Sequence, residues 1–338
     1  MPFAAHLGDI TTLSDLANYI PFDAKSLVGI PFALVGAVFL SLGAQFQHAG
    51  VGRVESDTAP IPHADAPQSG RKPKLKFSQI AALLARPSWM IGTGMIGLAI
   101  VFQLVSLAYS PLIVVQPIGA VALVITAIVN SRVSRVRLNR MSILAIALCV
   151  SGIGLFVTIA AFTARDRPLH DFELWLIVGI MAVVLAAFGS IYLFGRGHTR
   201  AIWYILGAGT LYGFVATLAK VVVQGIVTQT MTLQSWVCLV FLLLGTGLGA
   251  LFVQNAYSSG PPDLVIAGLT VIDPIVAVTI GIVILQEAAQ AGPLEILAFL
   301  GAGLLAIVGV FLLARHHPQA HHDADDATAQ PSVSGTVT

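Results

Sequence analysis

Apolar residues fill this chain in long unbroken runs separated by short polar stretches, with neither a period of two nor a narrow amphipathic stripe. A membrane-spanning helix needs about 20 mostly apolar residues. Nine runs have that length, at about Leu27–His48, Ser88–Tyr109, Pro111–Val129, Met141–Phe162, Glu173–Phe194, Ala201–Val227, Leu233–Tyr257, Leu264–Gln286 and Leu294–Ala314. They are continuous and far longer than barrel strands, which excludes a closed membrane barrel. The pattern predicts an all-α polytopic membrane protein with nine transmembrane helices. The polar stretches divide the rest into a leader (1–26), a linker (49–87) inside a transmembrane domain of 27–314, and a tail (315–338). In the leader, Leu13, Leu16, Ala17 and Ile20 recur at helical spacing behind Thr12 and Asp15, so it is either a short interfacial helix or disordered. The middle of the linker and the tail are polar and expected to be disordered, with Phe77–Ala85 returning to the surface as a short amphipathic segment.

Composition agrees: 57% of the 338 residues are hydrophobic, 10% are charged, and the mean hydropathy is +0.88. The expected partners are a lipid bilayer and a small-molecule or ion substrate. A net charge of +1 without a basic, aromatic-interleaved patch gives no nucleic-acid partner. Oligomeric state is not legible. Cys149 and Cys238 fall inside spans and read as small packing residues. Residues 1–26 lack a basic segment followed by an apolar one, so the first span is expected to act as the insertion signal. In the tail, His316, His317, His321 and His322 beside Asp323, Asp325 and Asp326 read as a solvated segment, with weak metal binding as the alternative.

Charge fixes an expected orientation. Arg53, Arg71, Lys72, Lys74, Lys76, Arg86, Arg132, Arg135, Arg137, Arg140, Arg196, Arg200 and Arg315 fall on one side if nine spans alternate, against Lys25, Arg165 and Arg167 on the other. The excess of positive charge faces the cytoplasm, placing the N-terminus outside and the C-terminus inside a multi-pass protein of the cell membrane. Trp89, Trp175, Trp203 and Trp236 each lie near the start of a span, as an interfacial belt requires.

Two stretches repeat. Ala108-Tyr109-Ser110 precedes Val114-Val115-Gln116-Pro117-Ile118, and Ala256-Tyr257-Ser258 precedes Val271-Ile272-Asp273-Pro274-Ile275. The copies lie an odd number of spans apart and so run in opposite directions, which predicts an inverted repeat, about 27–162 and 173–314, one helix short of five plus five. Asp273 and Lys220 are the ionisable residues well inside spans. Each costs about 2.5–3.5 kcal/mol at a helix centre on insertion scales, so each needs a partner or water. Counted from the inner interface, their depths differ by about 9 Å at about 1.5 Å per residue, which a lysine stem or a water could bridge. Lys220 therefore either pairs with Asp273 or snorkels to the outer interface. Pro117 and Pro274 each free a carbonyl one turn earlier, beside Gln116 and Asp273. Gln103, Gln254 and Asn255, with Gln45 and Gln47, are either ligands or hydrogen-bonding glue between helices. Glu287 lies thirteen residues beyond Pro274, where the first copy has Asn130 beyond Pro117. These residues (Asp273, Pro274, Gln116, Pro117, Lys220, Gln103, Gln254, Asn255 and Glu287) are the candidate translocation path. The glycines around Gly92–Gly97, Gly245–Gly249 and Gly301–Gly303 read as faces for close packing.

These motifs resemble the drug/metabolite transporter superfamily of five-plus-five permeases. The second half is similar to its EamA type, in which a proline is followed by a Gly-Glu-like end; here Leu285-Gln286-Glu287 has glutamine where glycine is usual. The first half, from Ser106 to Ala120, resembles the nine-span magnesium-transporter branch called NIPA. It departs after the third span, reading Arg135-Val136-Arg137-Leu138 where that branch has an acid. The resemblance implies a secondary transporter working by alternating access. The leading expectation is a permease for a small polar metabolite or organic cation. The first alternative is a NIPA-like magnesium transporter, and the second is a non-transporting membrane accessory or lipid-carrier flippase partner. No Walker loop, nucleophile–base pair or carboxylate cage is present in the sequence, so neither enzymatic activity, a cofactor nor a resident metal is expected.

Overall fold

The computed structural model describes residues 24–58, 87–133, 139–165, 167, 170–194 and 200–315. The leader, most of the linker and the tail, with the interfacial-helix, disorder and histidine readings that fall on them, lie outside the described residues, as do Arg135, Arg137 and Arg196. The described chain forms ten helices: α1 (Ala24–Thr58), α2 (Pro87–Tyr109), α3 (Leu112–Gly119), α4 (Val121–Val133), α5 (Arg140–Thr163), α6 (Asp171–Phe194), α7 (Ala201–Val227), α8 (Leu233–Ser259), α9 (Pro262–Val283) and α10 (Pro293–Arg315). Counting α3 and α4 as one span, nine stretches among the described residues are long and apolar enough to cross a membrane.

Local chemistry sets the ends. Asn139 caps α5, its Oδ1 accepting from the Met141 and Ser142 N–H groups, and Thr232 Oγ1 accepts from Ser235 N–H at α8. Pro262 opens α9 where an N–H would have no partner anyway. α1 outlasts its apolar run, continuing past His48 to Thr58. The largest departure from the sequence pattern is in the third span, expected to be one helix. It breaks at Ala120, directly after Pro117 and Gly119. Pro117 has no N–H to give the Ile113 carbonyl, and past it the ladder tightens into a single 3₁₀-type turn in which the Ala120 N–H donates to the Pro117 carbonyl at 3.2 Å. Pro274 stands alone, and α9 continues through it.

The sixth span, α7, is the centre of the bundle. Of its most apolar stretch, 72% is buried, against 22% for α2, α6 and α8. α1 packs along α2, α7 along both α8 and α9, and α5 along α10, while α3 lies against α1, α5 and α9. In lipid the association of such helices depends on close packing rather than on hiding apolar surface from water. The α5–α10 seam shows how. A Cβ on Gly152 would run into the Ala306 backbone, and one on Gly309 into the Cys149 backbone. Of the glycines expected to pack closely, Gly92, Gly245 and Gly249 do so, whereas Gly94, Gly97, Gly247 and Gly301 face open space. Gly309→Leu is expected to drive α5 and α10 apart, costing at least the 1–3 kcal/mol typical of overpacking, seen as a lower melting midpoint of the detergent-solubilised protein. Trp175, Trp203 and Trp236 are about half exposed on the bundle surface.

Candidate functional site

A cavity of about 360 Å³ lies where α1, α2, α7 and α9 meet the α3–α4 break, and Gln103, Gln116, Tyr212, Thr270, Asp273 and Pro274 line it. The helices converge because their facing residues are small. α1 presents Gly36 and Ala37 to the cavity. On α7, Gly209 and Gly213 sit so close to α9 that a Cβ on either would come within 2.7 Å of Ile272 or Val276. Asp273 is thereby held against α7, half-buried, with its Oδ1 shielded and accepting no hydrogen bond from the protein. Pro274 offers no N–H to the carbonyl of Thr270, whose hydroxyl turns back to the Ile266 carbonyl at 2.7 Å. The remaining walls are apolar: Leu40, Ala99, Ile100 and Leu269. This is a dry-walled chamber with one carboxylate, two amides, a phenol and a freed backbone carbonyl. It has the chemistry to take up a small cation or a proton.

A second polar cluster lies nearer one end of the bundle. Lys220 Nζ donates to Glu287 Oε1 at 2.8 Å, and both side chains are 2% exposed. Glu287 also caps α3. Its Oε1 accepts from the Leu112 N–H and its Oε2 from the Ile113 N–H, each at 2.8 Å. No side chain of its own caps that helix, so a distant carboxylate satisfies N–H groups that would otherwise be stranded at the positive end of the helix. Lys220 Nζ also donates to the Ser110 carbonyl at 3.3 Å. Ser110 Oγ in turn accepts from the Gly29 N–H at 3.1 Å, and Ser106 Oγ donates to the Gly29 carbonyl at 2.8 Å. The cluster therefore joins α1, α2, α3, α7 and the end of α9. The loop after α5 closes over it: Arg165 N–H donates to the Glu287 carbonyl, and Arg167, which pairs with Glu173, donates to the Leu285 carbonyl.

Of the two readings of Lys220, pairing with Asp273 and snorkelling to the outer interface, the structure bears out neither: the side chain is buried and pairs with Glu287. Depth along the spans compares Lys220 with Asp273 alone and leaves Glu287 outside the eighth span, as a residue beyond Gln286. Instead α9 ends at Val283, Gln286 takes a left-handed conformation (φ 53°), and the Glu287 N–H returns to the Gly281 carbonyl at 2.9 Å. The reversal turns the carboxylate back into the bundle. Gly281 leaves room for it, since a Cβ there would lie 2.9 Å from Glu287 Oε2. Gln286 thus occupies a position that suits glycine. Gln286→Gly is expected to raise thermal stability by up to about 1 kcal/mol, relief of left-handed strain outweighing the added freedom of the unfolded chain.

Among the other candidates, Gln103, Gln116 and Pro274 join Asp273 in the cavity. Pro117 lies beside it, at the break and against an apolar crevice. Gln254 and Asn255 do not line the cavity: Gln254 is exposed, and Asn255 Nδ2 donates to the Leu251 carbonyl of its own helix at 2.7 Å. Tyr212 and Ser110 were missed. The signal for Tyr212 was its place three residues from Gly209 on α7, a phenol beside the small-residue face that meets α9. Ser110 was read only as a marker of the repeat, and its counterpart Ser258 merely donates to the Asn255 carbonyl of its own helix.

The bundle and its polar chamber define a multi-pass integral membrane protein. Comparison with known proteins adds a partial likeness to a probable transporter. An uncharacterized protein of Corynebacterium glutamicum is 26% identical over 296 residues, covering 86% of this chain and 96% of that protein. The probable magnesium transporter NIPA4 of Arabidopsis thaliana is 27% identical over 150 residues, 40% of this chain and 41% of its own length. No family model and no solved structure matches the chain.

Proposed function

We propose that this protein is a secondary transporter of the drug/metabolite type, residing in the cell membrane and carrying a small cationic or polar solute by alternating access. The observation that carries the reading is Asp273, which lines a chamber between helices of both halves of the chain while its Oδ1 is shielded and unpartnered. An uncompensated carboxylate in a bundle core is expensive, and a scaffold that only needed to span would not keep one. Helix pairings support the inverted repeat: α1 with α2 mirrors α7 with α8, α1 with α4 mirrors α7 with α9, and α5 meets its counterpart α10. In this arrangement Asp273 binds the solute cation or the coupling proton, Gln103 and Gln116 orient polar groups, and the α3–α4 break lets one half move against the other. The excess of basic residues on one side in the sequence supports an N-terminus outside.

Magnesium is the second reading, favoured by the likeness to the probable magnesium transporter NIPA4. Magnesium dehydrates reluctantly and is often held through one or two carboxylates with its waters retained. At roughly 30 Å³ per water, the cavity of about 360 Å³ accommodates a hydrated ion. Reconstituted vesicles decide between them: uptake of organic cations and polar metabolites is measured beside magnesium entry reported by a trapped dye. Uptake of an organic solute with no magnesium entry supports the first reading, and the converse supports the second. No flux of either kind would remove the transporter reading.

A further inference from the structure

Beyond the Asp273 chamber, a cavity of about 480 Å³ opens at the end of the bundle that carries Lys220 and Glu287, lined by Arg167, Gln224, Thr228, Thr230, Thr232 and Ser235 among others. Two helices contribute to both spaces. On α7, Tyr212 lines the chamber, while Val221 and Gln224 line this polar vestibule. On α2, Gln103 lines the chamber and Ala108 the vestibule. Between them, Thr217, Leu218, Ala219 and Lys220 on α7 and Ser106 and Leu107 on α2 are buried. At about 1.5 Å per residue, the solid layer is about 13 Å thick along α7 and about 8 Å along α2. The ion pair sits inside this layer.

We propose that the Lys220–Glu287 pair is the latch of a gate between the chamber and the vestibule, a role that rests on the transporter reading. Three features carry it. The latch ties α3 of the first half to α7 and the end of α9 in the second, so any opening on this side must part Glu287 from the Leu112 and Ile113 N–H groups. While the layer is dry and closed, the protein itself satisfies the charges, Glu287 by one ammonium and two N–H groups, Lys220 by a carboxylate and the Ser110 carbonyl. And a buried ion pair adds little to stability over apolar side chains of the same size. What distinguishes it from an apolar seal is its open state: once water enters, both ions regain hydration, whereas parted apolar surfaces in water gain nothing. The closed and open states are thereby brought near balance, as alternation requires.

The test reads access directly. Gly119 lines the chamber and has open space around its Cβ, so Gly119→Cys is a reporter, and the buried Cys149 and Cys238 give little background. Full-length protein in oriented vesicles is treated with a membrane-impermeant maleimide from the vestibule side or from the opposite side. Compared with the reporter alone, Glu287→Gln leaves the ammonium without its counter-ion and draws water in, so labelling from the vestibule side rises at least tenfold. The double variant K220M/E287Q keeps an acceptor for α3 but removes both charges, and labelling from that side falls at least tenfold. Labelling from the opposite side moves the other way or stays unchanged. Equal labelling of all three proteins from the vestibule side, no labelling from that side in any of them, or shifts common to both sides would overturn the gate. Asp273→Asn in the same assay separates the two ideas. Unchanged transport in that variant, with the side-specific shifts intact, removes Asp273 from the path and leaves the gate standing.

Discussion

Asp273→Asn is expected to abolish most of the proposed transport without harming the fold. The exchange keeps the shape of the side chain and removes only the charge. An interaction between a cation and a buried carboxylate is worth about 1.5–3 kcal/mol, which predicts an apparent affinity about 10- to 150-fold weaker. Where the carboxylate carries the coupling proton instead, the maximal rate collapses and affinity is retained, so the split between the two identifies its part. The variant should also melt no lower than the parent, because the protein gives Asp273 Oδ1 no partner to lose. A functional residue that contributes nothing to stability is the expected signature of a binding charge. Full transport activity in the asparagine variant would defeat this reading.

Glu287→Ala has the opposite signature. It strands the Lys220 ammonium in a site where it is 2% exposed and leaves the Leu112 and Ile113 N–H groups unsatisfied at the start of α3. Removing one member of a buried pair costs about 3–5 kcal/mol, and each orphaned donor adds about 1–3 kcal/mol. The detergent-solubilised variant is expected to lose most of its folded, monodisperse fraction. K220M/E287Q should recover most of it, since neutralising both partners together removes the stranded charge. Equal losses in the single and double variants would mean that the residues contribute through packing alone.

Much of this was legible in the chain. Span positions followed from run length, because hydrocarbon tolerates no unsatisfied backbone and leaves helices as the outcome for continuous apolar segments. Asp273 was legible for a related reason: a charge in hydrocarbon costs so much that its presence is informative without coordinates. Gln103 and Gln116 joined it in the cavity, whereas Gln254 and Asn255, chemically alike, turned away. Amides are cheap enough to sit on either face of a helix, so residue type alone does not place them.

What only the tertiary structure decided was the partner of Lys220 and the cap of α3. Distance along a span measures depth while the helix runs straight. At Val283 it stops, and a left-handed Gln286 turns Glu287 back among the helices. Sequence determined that two intramembrane charges had to be paired or wetted, because solvation energy depends on residue type. Which carboxylate took the lysine, and which was left facing a cavity, depended on where the chain reverses and which helices then meet. Those are consequences of packing between residues 67 apart, Lys220 and Glu287, and of the 175 separating Leu112 from Glu287, and no local pattern encodes them.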